Sequence, residues 1–177
     1  MEKYNPVIET ILSRRSVRHY QPGKPATRAE LELLVRAGMA APSAHNSQPW
    51  EFIIVDDPAR TRELAKTHPY AGYLADAGSA IVVCGNLERV LKGTEDYWLE
   101  DCGAATQNIL LAAASLGLGT VWCGIYPNRP VVASLRPLLG VPEQVVPFAL
   151  IVVGHPVAGA DGPKDKFNPE RIHYQQW

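Results

Sequence analysis

The chain has 177 residues, 46% of them hydrophobic, and a formal net charge of −1. That length suits one domain, and the apolar share is ample for a packed core. Near-neutral charge argues against charge-driven binding to nucleic acid or acidic membranes, and no apolar run approaches the roughly 18 residues that span a bilayer. The opening Met1-Glu2-Lys3-Tyr4-Asn5-Pro6 lacks the apolar stretch of a secretory signal. Cys84, Cys102 and Cys123 are odd in number and show no CxxC spacing, which fits reduced thiols in a cytoplasm. The five histidines are scattered without HExxH, so no metal site is expected.

Pro6 to Ser13 places Val7, Ile8, Ile11 and Leu12 at the spacing of one helix face. At its end stands Arg14-Arg15-Ser16-Val17-Arg18. Arginine forks match phosphate oxygens two bonds at a time, and a serine hydroxyl adds a third direction. By itself such a run is more often an ordinary solvated cluster at a helix end. Thr27 and Glu30 form a capping-box pattern ahead of a helix with a Leu31, Leu34, Val35, Met39 stripe, ended by Ala41-Pro42-Ser43. Pro42-Ser43-Ala44-His45-Asn46-Ser47-Gln48-Pro49 packs amides and hydroxyls between prolines. Such groups suit the edge of a heteroaromatic ring, though by themselves they more often serve the self-capping of a loop.

Trp50 to Val55 reads as a strand, Pro58 to Lys66 as a helix, and Ala80 to Cys84 as a buried strand. Trp98 to Leu116 is the longest predicted helix, with Ile109, Leu110, Ala113 and Leu116 toward the core. Its glycine and alanines suit either a close helix–helix contact, within the chain or between subunits, or simple helix propensity. Thr120 to Ile125 reads as a strand and Pro130 to Leu139 as a helix ended by Gly140. Phe148 to Val153 is a continuous apolar strand, expected at the centre of a sheet. The tail from Pro156 carries Phe167, Ile172, Tyr174 and Trp177, more apolar surface than a free tail needs.

Nucleophilic chemistry has little support, because GxSxG and Walker A patterns are missing and Gly117-Leu118-Gly119 opens no GxGxxG helix. The acid pairs Glu95-Asp96 and Glu100-Asp101 read as partners of a helix start. A chain with anion-binding groups and no evident acid, base or nucleophile suits chemistry carried by a cofactor.

Five motifs in order resemble the nitroreductase family of FMN-dependent oxidoreductases. They are Arg14-Arg15-Ser16-Val17-Arg18; Pro42-Ser43-x-x-Asn46-x-Gln48-Pro49-Trp50; and Trp98-x-x-Asp101 with Ala104-Ala105 and Asn108-Ile109-Leu110-Leu111. Leu116-Gly117-Leu118-Gly119-Thr120-Val121-Trp122 and Val153-Gly154-His155-Pro156 complete the series. The resemblance implies an α+β fold, with a mainly antiparallel central sheet flanked by helices. It implies a single domain over 1–177, an intertwined homodimer, and a 156–177 extension packed on the partner subunit. By similarity, Arg14, Arg15 and Ser16 bind phosphate and ribityl oxygens of FMN, and Arg18 reaches the pyrimidine end of the ring. Pro42, Ser43 and Asn46 approach from the other subunit. Trp122, Cys123, Gly124 and Ile125 lie along the isoalloxazine, with a backbone N–H near Gly124 directed at N5. Lys164 and Lys166 close the phosphate site, with Arg171 as the competing candidate. Tyr70 and Tyr73 receive no role.

The implied activity is ping-pong reduction of a nitroaromatic, quinone or similar small acceptor by NADH or NADPH, with flavin N5 rather than a catalytic side chain carrying the hydride. Dehalogenation, enone reduction, consumption of the flavin itself and non-catalytic flavin binding are the alternatives. The chain is short for the family, which implies a more open substrate site.

Overall fold

The computed structural model describes residues 4–162 and 165–177. Strands β1 (Trp50–Val55), β2 (Ser79–Asn86), β3 (Gly119–Gly124) and β4 (Val145–Gly154) form one antiparallel sheet in the order β1-β2-β4-β3. Around it lie helices α1 (Pro6–Ser13), α2 (Arg28–Met39), α3 (Pro58–Ala65), α4 (Leu74–Ala77), α5 (Tyr97–Ser115) and α6 (Arg129–Leu139). No helix among the described residues is long and apolar enough to cross a membrane.

The central strands are apolar throughout because both faces are covered. Ile81, Val83, Ile151 and Val153 pack against Leu31 and Leu34 of α2 and Trp98, Cys102 and Ile109 of α5. The alternate residues Val82, Cys84, Leu150 and Val152 meet Leu64, Leu74 and Leu135 from α3, α4 and α6. Side chains alternate faces along a strand, so one continuous run feeds two cores.

Two elements run beyond their expected bounds. β4 begins at Val145 rather than Phe148, although Pro147 cannot donate to the ladder. The register slips here, with Val83 opposite Ala149 and Cys84 opposite Pro147, so Phe148 is the extra residue of a bulge that accommodates the proline. The bulged Phe148 carbonyl accepts from both Ile125 and Tyr126 amides at 3.0 Å, which fixes the end of β3. β2 likewise extends to Asn86, paired with Val145.

The capping box of α2 forms as read: Glu30 accepts from the Thr27 amide at 2.7 Å, and the Thr27 hydroxyl accepts from the Glu30 amide at 3.2 Å. Two stripe residues differ from expectation. Met39 and Leu116 are both exposed, since each stands where its helix ends and the face turns off the sheet. A close helix contact within the chain falls at Gly38 of α2, where a Cβ would lie 3.0 Å from Ile109 of α5, whereas a Cβ on Gly103 of α5 itself would meet nothing within 4 Å. The apolar stripe of α1 is present, yet Val7, Ile8, Ile11 and Leu12 are all exposed. Phe167, Ile172, Tyr174 and Trp177 of the tail are exposed as well.

Gly154 ends β4 against α4, where a Cβ would lie 2.9 Å from both Cα and O of Ala77. Backbone atoms cannot swing aside, so Gly154→Ala is expected to lower unfolding free energy by about 1–3 kcal/mol in urea titrations. Gly72→Ala, with open space around the added methyl, is expected to leave the midpoint nearly unchanged.

Candidate functional site

The site is built on a sheet edge. β3 pairs only with β4, so alternate residues along it turn their backbone groups outward. At one end the Val17 amide donates to the Thr120 carbonyl at 2.8 Å. At the other, His68 Nε2 lies 2.8 Å from the Gly124 carbonyl oxygen. Trp122 and Gly124 share that outward register, which turns the Gly124 N–H away from the sheet.

The arginine-rich segment is laid across this edge by its neighbours. Asn5 caps α1, accepting from the Val7 and Ile8 amides, and the Arg14 amide closes the helix on Thr10 at 2.9 Å. The chain then runs extended to Tyr20, which bridges to Pro156 after the end of β4. The buried Tyr20 phenol donates to the Val17 carbonyl at 2.8 Å, and burial pushes its ionisation well above the ordinary range.

Above this segment lies a cavity of about 450 Å³ walled by Arg14, Arg15, Ser16, Arg18, Asp161 and Lys166. Four cations face one carboxylate. None of the three guanidiniums forms an ion pair among the described residues. The Nε of Arg15 is buried with no hydrogen-bond partner among them. Leaving such a donor unmade costs about 1–3 kcal/mol, which a hydrogen-bond acceptor brought to it would relieve. Asp161 is already engaged, accepting from the Arg18 and His19 amides at 3.0 and 3.3 Å, with His19 Nδ1 at 3.2 Å. These bonds, the Arg18 amide foremost, hold its carboxyl below the usual range. The acid therefore fixes the backbone of Arg18 instead of neutralising the guanidiniums.

A second cavity of about 360 Å³ continues along β3. Arg18 and Trp122–Gly124 form one side, with His68, Tyr70, Tyr73 and Asn128 around the rest. Arg18 is the residue common to the walls of both cavities. A Cβ on Gly124 would meet no protein atom within 4 Å. The chain itself does not require glycine there; the methyl would project into open space beside the outward N–H. Cys123 is buried with Sγ 3.2 Å from the Tyr70 carbonyl oxygen, and burial pushes its thiol up to about 11. It is no thiolate nucleophile near neutral pH.

Most of the residues singled out in the sequence thus converge. Arg14, Arg15, Ser16, Arg18 and Lys166 meet at the first cavity, and Trp122, Cys123 and Gly124 at the second. Ile125 does not join them: its side chain is fully buried and its amide is bonded to Phe148. Pro42, Ser43 and Asn46 line neither cavity. Their loop is held by the Ala44 amide donating to buried Asp101 at 2.9 Å and the Gln48 amide donating to Ser43 Oγ at 3.0 Å. Within it His45, Asn46 and Gln48 take positive φ of 52°, 55° and 47°. Lys164 lies outside the described residues, and Arg171 sits in a short 3-10 turn, Pro169–Arg171, apart from both cavities. His68, Asn128 and Asp161 are site residues that the sequence pattern did not reveal. The available signal was His68-Pro69-Tyr70, a ring-rich connector directly after a helix.

A cation-walled cavity and a cleft on a sheet edge share one arginine, an arrangement with the shape and charge to suit an elongated ligand with an anionic tail and a flat head. The chain belongs to the nitroreductase family, whose sequence model, described as "Nitroreductase family", matches residues 11–75 and 65–155. It is 41% identical over 172 residues to a candidate NADH dehydrogenase/NAD(P)H nitroreductase of Archaeoglobus fulgidus, covering 96% of this chain and 98% of that protein. A crystal structure of a candidate protein of the same description from Parabacteroides distasonis superposes with a TM-score of 0.91 at 41% identity, covering 98% of this chain and 100% of the other. A candidate nitroreductase from Desulfovibrio desulfuricans, solved in complex with FMN, superposes at 0.79 with 31% identity over 99% of both chains.

The buried thiols carry a pH signature. Folding raises Cys123 from an ordinary 9.0 to about 11 and Cys84 to about 12, both by burial. The unfolded chain therefore loses these protons first as pH climbs, and stability is expected to fall above about pH 9. Alkylation by iodoacetamide at pH 8 should be slow in the native protein and complete in denaturant, as followed by mass spectrometry.

Proposed function

We propose that this protein is an NAD(P)H-dependent flavin oxidoreductase that binds FMN and reduces small acceptors such as nitroaromatics and quinones by a ping-pong cycle. The observation that carries this function is a pair of cavities sharing Arg18, one walled by cations and the other by the edge of β3, which suits a ligand anionic at one end and planar at the other. Two features fit FMN in particular. The orphaned Arg15 Nε calls for an acceptor such as a phosphate oxygen. The space a Gly124 Cβ would fill lets a ring approach the outward backbone N–H.

When bound, FMN supplies the two-electron chemistry between NADH or NADPH and the acceptor. The residues of this chain bind and orient. Arg14, Arg15, Ser16 and Lys166 would hold the phosphate and ribityl oxygens. Arg18 holds a fixed positive charge at the junction, its backbone anchored by Asp161. The outward Gly124 N–H would be available to the edge of a bound ring. No side chain need move a proton, which agrees with Cys123 being a buried, protonated thiol. Reduced thiols of this kind suit a cytoplasmic setting.

A second copy of this chain completes the site. The exposed α1 stripe and the exposed Phe167, Ile172, Tyr174 and Trp177 support a dimer in which the tail packs on the partner. Pro42, Ser43 and Asn46 then reach the partner's flavin from their own loop.

Purified protein is expected to be yellow, with flavin absorbance at about one per subunit; a colourless protein that takes up no added FMN overturns the assignment. Turnover with NADH and NADPH against a nitroaromatic, a quinone and a halophenol separates nitro or quinone reduction from dehalogenation. Slow reduction by both nicotinamides with flavin bound would mark a binding protein instead. Arg15→Ala should weaken FMN retention about 10- to 100-fold, the loss of one charge-assisted bond of ~1.5–3 kcal/mol. Arg18→Ala should shift the flavin reduction potential more than it shifts retention. Ile11→Glu should move the protein toward monomer in sedimentation velocity and release flavin with it.

A further inference from the structure

The geometry points to His68 as a positioning residue that locks the free edge of β3 and the facing cleft wall into one frame; this deepens the FMN assignment and rests on it. His68 is 6% exposed and follows α3 in the short connection to α4. Its ring has a neighbour at each nitrogen. Nε2 lies 2.8 Å from the Gly124 carbonyl oxygen, and the Tyr70 amide donates to Nδ1 at 3.1 Å. An amide N–H can only donate, so Nδ1 carries a lone pair and Nε2 carries the proton. Both contacts are satisfied together in one state of the ring, the neutral Nε2–H tautomer.

A second tie closes the circuit. Cys123 Sγ lies 3.2 Å from the Tyr70 carbonyl oxygen. As a thiol it donates, so Tyr70 is held at its N–H by His68 and at its C=O by Cys123. The two anchoring residues are paired with adjacent positions on β3: Cys123 belongs to the strand, and His68 grips Gly124. The wall that presents the exposed Tyr70 ring is thereby bonded to the strand whose N–H faces the same cleft.

Gly124 explains why such a grip is needed. Glycine has more backbone freedom than any other residue, and no protein atom crowds this one. Ile125 beyond it is fixed by its amide bond to Phe148, and Cys123 before it is buried. His68 supplies the remaining restraint, on the carbonyl of the glycine itself. The ring touches neither the proposed phosphate contacts nor, through a polar atom, the cleft interior; both nitrogens are already used. Its effect on the flavin passes through Gly124 and Tyr70.

The test combines wild-type protein with His68→Ala and His68→Gln. Nitrogen-15 NMR of labelled wild-type protein, with or without FMN, should report the Nε2–H tautomer; an Nδ1–H ring, or one doubly protonated at pH 8, overturns the inference. With FMN bound, His68→Ala should change the visible circular dichroism of the flavin and its reduction potential. It should lower kcat about tenfold or more, with a smaller change in KM for the nicotinamide. Glutamine offers one amide donor and one acceptor, so His68→Gln should restore most of both readouts. Unchanged flavin dichroism and potential in His68→Ala overturn the proposal while leaving the FMN assignment intact. If wild-type protein binds no FMN, that assignment fails, and the tautomer measurement still decides the His68 circuit. If His68→Ala does not fold, the glutamine variant and the tautomer carry the test.

Discussion

An edge strand has backbone groups on one side with no partner in its sheet, and β3 uses its free side as the foundation of the site. Thr120, Trp122 and Gly124 face outward in register. The first accepts the Val17 amide, which lays the arginine segment across the strand. The last is gripped by His68. Between them the strand remains open to the second cavity. If β3 lay inside the sheet, neither anchor could form, and the guanidiniums would have no surface from which to project. The order β1-β2-β4-β3 is therefore the condition on which the rest depends. It is secured by the two apolar layers that hold β2 and β4 at the centre.

Much of this was legible in the amino-acid pattern, for identifiable reasons. The Thr27–Glu30 cap, the apolar run of β4 and the arginine cluster announce themselves through local chemistry. The start of β4 did not, because Pro147 reads as a strand breaker and only the bulge at Phe148 reveals how it is tolerated. The stripe on α1 identified the helix, but periodicity says nothing of what covers a face, and this one is bare. Ile125 looked like a cleft residue because it continues Trp122–Gly124; the alternation of the strand instead sends it inward. His68 and Asp161 are single polar residues in connections. Their roles come from contacts across 56 and 143 residues, which no local spacing encodes.

The loop at 43–48 shows another side of the same architecture. Three non-glycine residues there hold left-handed backbone, a conformation costing on the order of 1–3 kcal/mol each. The strain is sustained by Asp101, Ser43 and the Gln48–Asn46 side-chain bond at 2.8 Å. Asp101 projects from α5, the longest helix, so a rigid element sets the loop. These bonds hold the loop with Asn46 exposed.

The first cavity closes with residues from opposite ends of the chain, since Arg18 is joined to Asp161 across 143 positions. At a synthesis rate of about 5–20 residues per second, roughly 7–30 s separate the emergence of the two. Throughout that interval the arginines have been made but have no facing wall, no fixed backbone at Arg18 and no β3 beneath them until the strand follows. Completion of the cavity is therefore a late event in the synthesis of each chain, and it waits on most of the polypeptide.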